Sequence, residues 1–165
     1  LGDVYKRQIV DWDVHHGNGT QDVFYDDPTV SFVSLHQSPH YPGTGMADER
    51  GAGAGEGSTL NVPLPAGTPR AEYRAQFERA VTEAIRDFQP DFVLVSAGFD
   101  VMAGDPLGGM LLEPEDLHVM TRFLIEHVAE RCEGRVVALL EGGYDPARLG
   151  VGAVAVIRAL AGLPL

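Results

Sequence analysis

The run Phe92-Val93-Leu94-Val95-Ser96-Ala97-Gly98-Phe99-Asp100 decides the fold. From Phe92 to Ser96 it is continuously apolar and β-branched, the pattern of a strand buried on both faces, as in a parallel sheet. Upstream of it, Tyr73, Phe77, Ala80, Val81, Ala84, Ile85 and Phe88 recur at spacings of three and four, which predicts one amphipathic helix. Thr68 is expected to cap that helix, Pro69 suits its first position, and Pro90 bounds its end. Downstream, Pro114 to Arg131 reads as a second helix with Leu117, Met120, Phe123, Leu124, Ile125 and Val128 mostly inward, stopped by Gly134. Arg135 to Leu140 (RVVALL) is expected to be another buried strand, and Pro146 to Leu160 a final helix. Further out, Ile9 to Val14 and Val30 to Leu35 read as buried strands, and Thr59 to Val62 as a short one followed by the turn Pro63 to Gly67. Such alternation predicts an α/β fold, a parallel sheet with helices on both faces. The glycine-dense stretch from Gly43 to Gly57 is a long irregular loop, the kind that usually carries function.

The chain has 165 residues, 44% of them hydrophobic, enough for one domain burying about two thirds of its unfolded surface. Twelve Lys and Arg stand against 24 Asp and Glu, a net charge of −12, so no long-range field draws the chain to nucleic acid or an anionic membrane. A basic substrate tail suits it better. The lone cysteine, Cys132, excludes an internal disulfide, reads as a passive helix residue, and points to a reducing, cytoplasmic setting. No apolar run reaches the ~18 residues of a transmembrane helix. Residues 1 to 8 run without a turn signal into Ile9-Val10-Asp11, and Asp3 to Gln8 is similar to a translated sequencing adaptor. We therefore expect residues 1–8 to be a scar and residues 9–165 to be the C-terminal part of a single domain.

Ligands in open parallel sheets bind beyond the carboxyl ends of the strands. Three predicted strand ends carry unusual residues: Asp11-Trp12-Asp13-Val14-His15-His16, Phe99-Asp100, and Glu141-Gly142-Gly143-Tyr144. Asp13 and His15 are two apart and in extended chain would point the same way, so the pair could hold a divalent metal from one edge. Asp100 could add a third ligand and leave a position open for water or substrate, as a catalytic metal requires. Each feature also has a plainer reading: a solvated loop for the Asp/His string, a turn or cap for Asp100, a packed loop aromatic for Tyr144. The glycine loop lacks the Lys-Ser/Thr of a phosphate-binding loop, and Ser96 lacks a nucleophile elbow, which argues against nucleotide binding and a serine hydrolase.

Taken in order, Val10 to Gln21 (VDWDVHHGNGTQ), Ser34-Leu35-His36, Tyr41-Pro42-Gly43-Thr44-Gly45, Asn61-Val62-Pro63-Leu64, Ser96 to Asp100, Asp105-Pro106-Leu107-Gly108 and Leu140 to Tyr144 resemble the motifs of the zinc-dependent histone deacetylase superfamily, in its bacterial class II-like and acetylpolyamine amidohydrolase branch. The resemblance implies an arginase/deacetylase-like three-layer α/β fold, present here as an N-terminally truncated fragment. It implies that Asp13, His15 and Asp100 are the metal ligands and that Tyr144 donates a hydrogen bond to the developing oxyanion. Asp11 and Asn18 match the partners of the family's catalytic histidine pair. Tyr41, Leu107 and Gly143 match substrate-contacting positions, and the backbone around Asp11, Asp13, His15, Ser34 and Leu35 matches a structural potassium site.

Zinc is the implied cofactor; because two Asp and one His form an oxygen-rich set, Fe(II) is an alternative. The family's acid/base histidine pair is expected upstream of Asp11, since His15-His16 occupy the metal motif. The implied substrate is an acetylated lysine side chain, with an acetylated small amine as alternative. The absence of a glutamate at Leu107 favours the former. An inactive or binding-only relative is the reading outside the enzyme class.

Overall fold

The computed structural model describes residues 5–165. Five strands, β1 (Arg7–Asp11), β2 (Val30–Gln37), β3 (Thr59–Leu64), β4 (Phe92–Ala97) and β5 (Val136–Leu140), form one sheet in the order β3-β2-β1-β4-β5. Every neighbouring pair is parallel. The helices are α1 (Asn18–Phe24), α2 (Arg70–Phe88), α3 (Pro114–Cys132) and α4 (Pro146–Leu160), with a 3₁₀ turn at Gly53–Gly55. The chain builds outward from β1 to β3, then returns across the sheet to β4 and β5. The order therefore reverses between β1 and β4, and the carboxyl ends of those two strands flank the crevice where such sheets take ligands.

The alternating direction of side chains along each strand divides the interior in two. Val10, Val33, Leu35, Val93 and Val95 face the larger core, where Tyr73 and Phe77 of α2 meet Leu117, Met120 and Leu124 of α3. Ile9, Val30 and Phe32 face the other side, packed against Phe24 of α1 and against Leu94. Helices on both faces make this the expected α/β layering. The helix α3 starts with a reciprocal capping box, Glu113 accepting from the Asp116 backbone and Asp116 from that of Glu113. It ends where Glu133 and Gly134 turn left-handed (φ 49° and 76°).

Several expectations need correction. The first strand begins at Arg7 and ends at Asp11 instead of spanning Ile9 to Val14. Thr68 does not cap α2; its hydroxyl donates to the Pro65 carbonyl at 2.6 Å, and Pro69 occupies the cap position with no side-chain bond. The strand β5 is not buried: Val137, Leu139 and Leu140 are exposed, and only Val136 and Ala138 pack on the main core. The short helix α1 was not anticipated, because its seven residues offer too few turns for a periodic signal. The expected adaptor scar lies partly outside the described residues, since residues 1–4 are not among them.

Candidate active site

At the end of β1 the chain turns out of the sheet, and Asp11 directs the turn. Its Oδ1 accepts from the Asp13 backbone N–H at 2.9 Å, and Asp13 Oδ1 in turn accepts from the His15 N–H at 2.9 Å. These two successive side-chain-to-backbone turns, not an extended strand, bring Asp13 and His15 to one side. The pairing expected from the sequence is present, reached by a different local geometry.

Asp100 arrives from beyond β4. Its Oδ1 accepts from the Val14 N–H at 2.9 Å, which locks the carboxylate against the β1 turn, while Oδ2 is buried with no hydrogen-bond partner. His15 Nδ1 lies 2.9 Å from Asp13 Oδ1 and 3.3 Å from Asp100 Oδ2. One ligand atom from each of the three residues lies within 4.8 Å of the others. Asp13 is further held by the Gly142 N–H, 2.7 Å from its Oδ2. Any side chain at Gly142 would collide with Asp100 Oδ2 and come within 2.6 Å of Asp13 Oδ2, and one at Gly98 would press on Asp13 itself. Glycine at both positions is what lets three strand ends converge.

The electrostatics fit a cation. Burial and then the neighbouring Asp13 charge push the Asp100 carboxyl up to about 7. Burial above all, then Asp13, Glu141 and Asp100, raises Asp11 as well. Carboxylates this close, one with an orphaned oxygen, are stabilised by a divalent ion bound between them.

Tyr144 stands beside this triad, its ring centroid 6.5 Å from that of His15. Its backbone N–H donates to Asp105 Oδ2 at 2.7 Å, after a Gly143 at φ 139° whose Cβ would meet Phe99 and Leu149. Desolvation, followed by the Asp100, Asp13 and Asp105 charges, holds its hydroxyl above the usual phenol value, hence protonated near neutral pH. Tyr41, 76% exposed, presents its ring 6.2 Å from His15, and Leu107, 49% exposed, stands on the loop after Asp105. Asn18 opens α1 on the rim of the same cleft. Ser34 and Leu35 are buried in β2, with Ser34 in register with Asp11.

His16 points away from the triad. Its ring bonds Thr44 Oγ1 at 2.8 Å and Gln21 Oε1 at 3.0 Å. Beside it, His36 Nε2 donates to the Gly45 carbonyl at 2.9 Å, and burial and His16 lower its pKa to about 4. The two imidazoles pin the far side of the loop that carries Tyr41. Asp105, His40, Gly98 and Gly142 had no role assigned from sequence. For Asp105 the available signal was an Asp-Pro turn; for the others the partners are distant in the chain.

A family profile described as "Histone deacetylase domain" matches residues 3–160. The chain is 45% identical over 159 residues to "Histone deacetylase 10, chloroplastic" of Oryza sativa subsp. japonica, covering 96% of this chain and 36% of that protein. It is 42% identical over 158 residues to an Archaeoglobus fulgidus protein named "Probable deacetylase", covering 95% and 44%. Among solved structures, one titled "Crystal Structure of HDA15 HD domain" superposes with a TM-score of 0.90 at 43% identity, covering 96% of this chain and 45% of that one. The chain thus spans less than half the length of these relatives.

Proposed function

The chain belongs to the histone deacetylase family, and on that premise we propose that the protein carrying it hydrolyses an acetyl-lysine-type amide to a free amine and acetate, with zinc as the metal. The observation that carries this reading is the Asp13, His15 and Asp100 triad, with Asp100 Oδ2 buried without a hydrogen bond and Tyr144 beside it. When bound there, a divalent cation would polarise the amide carbonyl and bring the pKa of water toward ~7.

The remaining work falls to the chain. Asp13 and Asp100 would neutralise the cation's charge, and the backbone bonds from His15, Val14 and Gly142 hold the two carboxylates in place. Tyr144, protonated at neutral pH, donates its hydroxyl proton as a hydrogen bond to the carbonyl oxygen as negative charge grows on it. Tyr41 and Leu107 flank the approach of the extended acyl-amine stem. Water is deprotonated, and the leaving amine protonated, by a histidine pair that we assign to the part of the parent protein upstream of Asp11. We therefore expect this chain alone to turn over little.

The test is acetate release by the parent protein from an acetyl-lysine peptide and from an acetylated polyamine. Turnover of the peptide that stops on chelation and falls on the order of 10²-fold in Tyr144→Phe supports the reading. Preference for the polyamine would move the substrate to small acetylated amines, and turnover unaffected by chelation would reject the mechanism.

A further inference from the structure

The residue next to Tyr41 reaches across the site. The His40 ring stacks on His15, with centroids 5.0 Å apart and planes 18° from parallel. Its Nε2 lies 2.9 Å from the Leu107 carbonyl oxygen, on the loop after Asp105. A carbonyl only accepts, so His40 must carry its proton on Nε2 and donate it. The link continues beyond Leu107, whose N–H donates to Asp105 Oδ1 at 2.9 Å, while Asp105 Oδ2 accepts from the Tyr144 N–H. Asp105 is buried and its two bonds are half-buried, while the His40–Leu107 bond at the mouth is exposed.

We propose that His40 is a positioning residue that fixes the separation of the two walls of the acyl channel, by stacking on His15 while its Nε2–H holds the Leu107 carbonyl. The loop bearing Tyr41 is pinned at its far side by His16 and His36. On the cleft side His40 ties it to the loop bearing Leu107, which Asp105 ties to Tyr144. The bracket therefore sets which acyl groups fit between Tyr41 and Leu107, without itself reaching the reacting atoms. This inference rests on the amide-hydrolase reading for its effect on substrate, but not for the bracket's geometry.

Two substitutions separate its parts: His40→Phe keeps the stack and loses the donor, and His40→Gln keeps a donor of similar reach and loses the stack. In the parent protein, His40→Phe is expected to raise KM for an acetyl-lysine peptide about three- to tenfold, with kcat, metal content and Tm nearly unchanged. KM for a butyryl-lysine peptide should rise less, and His40→Gln should recover most of the acetyl KM. A merely structural histidine would instead move Tm and kcat together in both variants, and that result, or an unchanged KM in His40→Phe, overturns the proposal. The wild-type protein, ¹⁵N-labelled at histidine, gives a reading that needs no turnover: the signal lost in His40→Gln must be that of an Nε2–H tautomer. Should the wild type hydrolyse no acyl amide, the activity reading falls and the tautomer decides the bracket, Nε2–H sustaining it and Nδ1–H overturning it.

Discussion

A methyl group at Gly142 would press on Asp100 Oδ2 and sit within 2.6 Å of Asp13 Oδ2, displacing two of the three residues of the triad. Gly142→Ala is therefore expected to weaken zinc binding by about 10- to 100-fold, as loss of outer-shell support commonly does, in a competitive chelator titration. Unchanged affinity would mean that the carboxylates have room to move. His36 gives a pH-dependent expectation. Its ring faces His16, the Ser34 hydroxyl, the Gly45 carbonyl and Glu49, and it stays neutral down to about 4 in the fold. In the unfolded chain it titrates near 6.5, so between these values the unfolded state binds the extra proton. Its contribution is present above about pH 6.5 and is lost as pH falls toward 4, by at most about 3 kcal/mol. Urea midpoints at about pH 7.5 and about pH 5 should differ more in wild type than in His36→Gln. At this scale Asp13, His15, Asp100 and Tyr144 were legible because strand ends carried them in short motifs. Gly142 was not, since its bond to Asp13 spans 129 positions and leaves no local pattern.

The strands were the most legible elements, because a parallel strand covered on both faces must be apolar throughout. Their limits were less so. The strand β1 takes in Arg7 and Gln8, and Gln8 is fully buried with neither amide atom bonded, a local conflict in the sheet's middle strand. Replacing it by an apolar residue of similar size removes an unsatisfied polar group. Gln8→Leu is thus expected to stabilise the fold by about 1–2 kcal/mol, read as a higher urea midpoint with unchanged slope. A lower midpoint would indicate that Gln8 has partners in solution. Caps were read poorly for a related reason: Thr68 precedes α2 as a capping residue should, yet the Pro65 carbonyl takes its hydroxyl. A serine or threonine before a helix has several backbone partners within reach, and only the loop geometry selects one.

For the whole molecule, the apolar patterning gave the layer order but could not distinguish a covered strand from an open one. RVVALL reads as buried, yet Leu139 and Leu140 of β5 are exposed, as are Val154 and Ile157 on neighbouring α4. An exposed apolar area of this kind favours association. The isolated chain is expected to self-associate with rising concentration in sedimentation velocity, and Leu139→Lys with Ile157→Lys to reduce that association. A monodisperse wild-type chain would contradict this expectation. The functional account itself rests on one point, that the three strand ends form a single metal site next to a separate oxyanion donor. The direct measurement is metal content of the parent protein after dialysis against zinc, in wild type, Asp100→Ala and Tyr144→Phe. We expect about one zinc per chain in wild type and Tyr144→Phe and little in Asp100→Ala. Zinc retained at the wild-type level in Asp100→Ala would contradict the ligand set and, with it, the reaction built on it.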